Sequence, residues 1–361
     1  MRTLVLLLCL CFLCPGSLAA KRPSQPKTIS TPVPVLMQPP VLTGKVNLVW
    51  QHKNLPAVDV SNLPRIEGLN VVSPCWYDIE NETGLLKDKT APAGYATQAH
   101  ARGYQVWPLI TSSFDPQMFH KVLDNAAARR FFIEQLLTEA EKHQVDGFNL
   151  DFENIRDDDK DKLTGFVKEI SKALREQHLV LSMDVTIPSG ASFWSKCYDH
   201  QALGQEVDYL LLMAYDQHTP SQHVAGPTAA LDWVERGLQR TLKLVPARKV
   251  VLGMPLYMRL WSQDLATGKV NGKTLSMPEA EKTTVKASIL PSWQAEYNDQ
   301  QALLKCSYEE SGQRFIYWLE DANSIRRKAA LIKKYDLAGA AAWRKGFETA
   351  DVWPVLEAAV K

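Results

Sequence analysis

The sequence predicts an α/β fold, a (β/α)8 TIM barrel with a small α+β insertion between strands 7 and 8. Two observations carry this. Eight short apolar runs, several near-continuous as in strands buried on both faces, alternate with longer amphipathic stretches. No Gly-rich phosphate loop follows an early strand, as a doubly wound open sheet would usually require. The 361 residues, 45% of them hydrophobic, can bury a substantial core.

Strands one to four are read at 45–52 (KVNLVWQH), 68–79 (GLNVVSPCWYDI), 104–110 (YQVWPLI) and 145–153 (VDGFNLDFE). Strands five to eight are read at 179–188 (LVLSMDVTIP), 207–216 (VDYLLLMAYD), 249–257 (KVVLGMPLY) and 337–346 (LAGAAAWRKG). Helices are expected at 126–144 and 159–178; in the second, Leu163, Phe166, Val167, Ile170, Ala173 and Leu174 share one face. The gap after strand seven is long. An insertion at roughly 260–318 accounts for it, with GKVNGKTL as a hairpin and RFIYWLE as a strand. The eighth-unit helix follows, with Asp321 near its cap.

Residues 1–20 have the layout of a secretory signal: Arg2, an apolar run from Leu4 to Cys14, then a small-x-small site at Ser17-Leu18-Ala19. An uncleaved anchor is the alternative, although the run is short for a bilayer. Residues 21–44 hold six prolines and read as a linker or extended arm, leaving 45–361 as the barrel. The remaining Cys75, Cys197 and Cys306 are expected to be isolated thiols. The formal charge of +1, from 41 basic and 40 acidic residues, gives no field that would recruit nucleic acid. The mature chain is expected to have no membrane span, to act as a monomer, and to be secreted or held in the cell envelope.

In a barrel of this kind the chemistry sits at the C-terminal ends of the strands. Strand two ends in Trp76 and Tyr77, and strand four in Asn149, Asp151 and Glu153, every second residue and so on one face. Strand five carries Met183 and Asp184, strand six ends in Met213 to His218, and strand eight ends in Trp343. His218 and His223 lack metal-ligand spacing and read as surface histidines, so neither metal nor cofactor is expected. Carboxylates among tryptophans and tyrosines suit a carbohydrate, because aromatic faces stack on sugar rings and a carboxyl can protonate a leaving oxygen.

Together these residues resemble glycoside hydrolase family 18. The strand-four motif Asp-x-x-Asp-x-Asp-x-Glu appears as Asp146 to Glu153 with Asn149 in the middle position, and Met-x-Tyr-Asp appears as Met213 to Asp216. Trp343, the segment GMPLY and the insertion after it also fit. The resemblance is to the bacterial branch of spore-germination and cortex-lytic N-acetylglucosaminidases. It implies a retaining, substrate-assisted mechanism with catalytic Glu153 as acid and base, Asp151 on the acetamido N–H and Tyr215 on the acetamido oxygen. Asn149, Asp216, Trp343 and Met213 are the implied substrate-binding residues, with Gln217 a further candidate contact; Trp76, at the end of strand two, is a candidate for stacking on a sugar, with a place in the core as the alternative. The implied partner is a polysaccharide or oligosaccharide containing N-acetylglucosamine. A non-catalytic lectin of the same fold is the alternative.

Overall fold

The computed structural model describes residues 41–52, 59–88 and 91–361. The expected signal segment and most of the proline-rich arm lie outside these residues. Among the described residues, no helix is long and apolar enough to cross a membrane.

The eight barrel strands are Val46–Gln51, Val71–Ile79, Leu109–Thr111, Gly147–Asp151, Val180–Thr186, Tyr209–Met213, Val250–Pro255 and Gly339–Trp343. Each pairs in parallel with the next, and the eighth pairs with the first, so the sheet closes into the expected barrel. Closure leaves no free edge within the ring. The third run is interrupted: Gln105–Val106 pairs first, and pairing resumes at Leu109. Pro108, which has no N–H to give, sits in the break. Its carbonyl oxygen still accepts from Asn149 N–H at 2.9 Å.

Side chains alternate between two compartments. One set, including Val46, Leu48, Trp50, Leu109, Leu211, Val251 and Ala341, fills the barrel interior. The other, including Trp76, Phe148, Leu150 and Phe152, packs outward against the helices. The helix Ala126–His143 begins at Asn125, whose side-chain oxygen accepts from Ala127 and Ala128 N–H. Lys160–Glu176 buries Leu163, Phe166, Val167, Ile170 and Leu174 against the barrel, the face that the apolar spacing predicts. In the final unit, Asp321 caps Ala322–Lys334 and forms a capping box with Ser324.

The insertion is a five-stranded antiparallel sheet with one helix, Met277–Ala287, between its second and third strands in chain order. Its first strand, Tyr257–Asp264, pairs with Val270–Ser276. The expected hairpin within GKVNGKTL is therefore corrected: that segment is one arm, and the turn precedes it. Asp264 holds that turn by accepting from Ala266 and Thr267 N–H. RFIYWLE does form a strand, within Gln313–Leu319. Among the described residues, Cys75, Cys197 and Cys306 are not joined in disulfides.

Candidate active site

Strand four starts on a structural device. Asp146 accepts from Val106 N–H at 2.7 Å and meets His100 Nε2 at 2.8 Å, tying the strand's beginning to its neighbours far from the mouth. Gly147 comes next because a Cβ there would meet Val180 O at 2.3 Å. That close approach sets strands four and five side by side with Asn149 opposite Ser182 and Leu150 opposite Met183.

Asn149 is fully buried in the barrel interior. Its side-chain oxygen accepts from Trp50 Nε1 at 2.8 Å and from Ser73 Oγ at 3.3 Å, and its Nδ2 donates to Asp184 Oδ1 at 2.8 Å. Both polar atoms thus make hydrogen bonds within the protein. It links strands one, two, four and five beneath the mouth.

The register continues upward to Asp151 and Asp184, both buried. Burial, followed by the neighbouring charge of Asp151, holds the Asp184 carboxyl well above the usual carboxylate range. Two like charges about 5 Å apart, roughly a strand spacing, repel by about 3 kcal/mol at an effective dielectric constant of 20. Glu153 lies just beyond the strand end and is half-buried. Burial first, then Asp151 and Asp216, keep its carboxyl protonated well above its ordinary range.

Strand six supplies the opposite wall. Tyr215 is partly buried and its phenol is held neutral by burial and by Asp184. Gly253 on strand seven makes room for it: a Cβ there would meet Leu212 O at 2.7 Å and Tyr215 Cε1 at 3.3 Å. Asp216 adopts a left-handed backbone (φ 56°) and accepts from Tyr257 OH at 2.6 Å and Arg259 at 2.7 Å. The guanidinium also sits 4.9 Å from the centre of the Tyr257 ring. The insertion thus reaches the mouth through its first strand.

A cleft of about 580 Å³ opens beside this group. Glu153, Met213, Tyr215, Asp216 and Gln217 line it, as do Trp194, Trp233 and Arg240. The Gln217 side-chain oxygen is committed to Ala230 N–H at 3.0 Å, which pins the loop after strand six. Trp343, at the end of strand eight, is partly buried, 5.8 Å from the Trp50 ring.

Trp76 is corrected. It has no exposure and packs on the helix side against Tyr95, with ring centres 5.1 Å apart, and His143. Strand two continues to Ile79 with a register shift between Cys75 and Tyr77, so Trp76 is mid-strand and points away from the mouth. Residues that the sequence did not single out include Tyr257, Arg259, Trp194 and Trp233, and Asp184 was noted at its strand without a role. Away from the mouth, Asp88, Glu139 and His143 bring one ligand-type atom each within 4.8 Å of one another, a grouping invisible in linear spacing.

Buried acids, one of them held protonated beside a cleft walled by aromatic rings, are equipped for acid–base work on a sugar. The glycosyl hydrolases family 18 model matches residues 77–347. The chain belongs to glycosyl hydrolase family 18. It is therefore a glycoside hydrolase, and the family acts on glycans containing N-acetylglucosamine. Among curated proteins, the uncharacterized glycosylase YvbX of Bacillus subtilis is 25% identical over 304 residues, covering 81% of this chain and 85% of that protein. The cortical fragment-lytic enzyme of the same species is 24% identical over 254 residues, covering 69% of this chain and 57% of that protein. Among solved structures, a chitinase from Chromobacterium violaceum superposes with a TM-score of 0.78 at 23% identity, covering 88% of this chain and 99% of its own.

Proposed function

We propose that this family 18 member is an exported retaining glycosidase that hydrolyses β-1,4 linkages at N-acetylglucosamine in peptidoglycan or chitin-type chains. The observation that carries this reading is Glu153 lining the aromatic-walled cleft, where burial and then Asp151 and Asp216 push its carboxyl well above the usual range. A carboxyl pushed well above its ordinary range holds its proton more readily, which suits it to protonate a leaving oxygen.

Glu153 gives its proton to the glycosidic oxygen as the bond to the anomeric carbon breaks. The substrate's own 2-acetamido oxygen attacks that carbon and forms an oxazolinium ion. Asp151 takes the acetamido N–H and balances the new positive charge, while the Tyr215 hydroxyl donates to the acetamido oxygen. Glu153, now a carboxylate, takes a proton from water as the water opens the ring. Two inversions return the original anomer. Asp216, set by Tyr257 and Arg259, holds the distorted sugar, and Trp343 floors its subsite. Met213 and Gln217 line the cleft beside it.

Substrate assistance requires the acetamido group. Chitooligosaccharides and purified peptidoglycan, digested in parallel with products identified by mass and by anomeric NMR, should release the retained anomer at N-acetylglucosamine. A thiazoline mimic of the intermediate should inhibit. An inverted product, or a rate untouched by saturating thiazoline, refutes the mechanism. Binding of these glycans without cleavage would point to the lectin reading.

A further inference from the structure

Asp184 lies outside the strand-four motif, yet it sits deeper in the same machinery. It is 1% exposed and its Oδ1 takes a hydrogen bond from Asn149 Nδ2 at 2.8 Å. Asn149 is anchored in turn by Trp50 Nε1 at 2.8 Å. The last paired residues of strands four and five are Leu150 and Met183, so Asp151 and Asp184 are the next neighbours along the two strands. Asp151 shares the inward face of Asn149, and Asn149 contacts the Asp184 side chain directly. Two buried carboxyls thus stand side by side, one on each strand.

We propose that Asp184 is the positioning residue for Asp151 in the hydrolytic step, the two carboxyls sharing a single proton over the fixed amide of Asn149. The family motif places an acid where this chain has Asn149, so the exchangeable proton is supplied from strand five instead. The inference rests on the substrate-assisted reading above. In the resting site the proton is held between the pair. As positive charge builds on the acetamido group, the proton goes wholly to Asp184 and the negative charge to Asp151. When water opens the oxazolinium ring, the proton is shared again; no proton enters or leaves the pair, and Glu153 alone exchanges with substrate and water.

The surroundings fit this role. The groups whose charge or hydrogen bonding acts on Asp184 are Asp151, Glu153 and Asn149 from strand four and its end, and Trp50 from strand one. Tyr215 after strand six and Tyr198 after strand five are affected by it in turn, and both phenols are held neutral by burial. None of these is a cation, and sharing a proton limits the charge that the pair carries.

The test compares wild type, Asp184→Asn and the exchange variant Asn149→Asp/Asp184→Asn on a chitooligosaccharide, with kcat/KM measured across pH. Thermal melts and thiazoline affinity are measured alongside. Asp184→Asn should keep a cooperative melt but lose at least tenfold in kcat/KM, with an altered acid limb and weaker thiazoline binding. The exchange variant should recover at least threefold over Asp184→Asn, because a titrating carboxyl again lies beside Asp151. An Asp184→Asn enzyme with the wild-type rate and pH profile overturns the proposal, as does an exchange variant no better than Asp184→Asn. A wild type that hydrolyses while Asp184→Asn matches it removes only this inference. A wild type that hydrolyses none of these glycans removes the functional reading and this inference together.

Discussion

Replacing Asn149 with Leu removes the link among strands one, two, four and five while nearly keeping the side-chain volume. Leu cannot accept from Trp50 Nε1 or donate to Asp184 Oδ1, bonds that are each 2.8 Å long in the native site. Trp50 and Asn149 have no exposure and Asp184 has 1%, so water has no easy route to replace the lost partner. Leaving a buried polar group unsatisfied costs about 1–3 kcal/mol, so two stranded groups cost about 2–6 kcal/mol. That is a large share of a typical folding stability of about 5–15 kcal/mol. Urea unfolding followed by tryptophan fluorescence should show the midpoint falling with little change in slope. Asn149→Asp, which keeps the shape and the acceptor for Trp50, should lose less. A loss below about 0.5 kcal/mol in Asn149→Leu, the range of ordinary surface changes, would refute the account of this link.

Two further outcomes follow from the geometry. Asp216→Asn removes a negative neighbour that raises Glu153, so the ionised form of Glu153 becomes easier to reach. The alkaline limb of kcat/KM should then move to lower pH; a limb that moves to higher pH contradicts the assignment of Glu153 as the acid. Trp76→Ala and Trp343→Ala should separate core from cleft: the first should cost about 3–5 kcal/mol of stability with KM little changed, by urea unfolding and steady-state kinetics. The second should raise KM for short oligosaccharides with a smaller stability loss, and reversed results would refute the placement of the two rings.

Much of the barrel was legible because buried parallel strands need continuous apolar runs, and their order follows the chain. The helix over 160–176 announced itself by its 3.6-residue period, and Asp321 by its cap chemistry. Trp76 was misplaced by a local irregularity: the shift between Cys75 and Tyr77 and the continuation to Ile79 cannot be read from composition. Asp184 was visible as an acid in an apolar strand, but its partnership with Asn149 depends on cross-strand register, which no local pattern encodes. Tyr257 and Arg259 reach Asp216 across more than 40 residues of chain, through an insertion whose sheet order is set by packing. In DGFNLDFEN, the shared face of Asn149, Asp151 and Glu153 was plain. That Asn149 serves the strands below while Glu153 lines the cleft above was not.

The central claim is that Glu153 moves the proton that breaks and then hydrolyses the glycosidic linkage. Glu153→Gln keeps the side chain's size and removes its ability to give or take that proton. Measured on one chitooligosaccharide, this variant should lose hydrolysis by several orders of magnitude while calorimetry records binding within a fewfold of wild type. Turnover at the wild-type rate in Glu153→Gln would contradict the account.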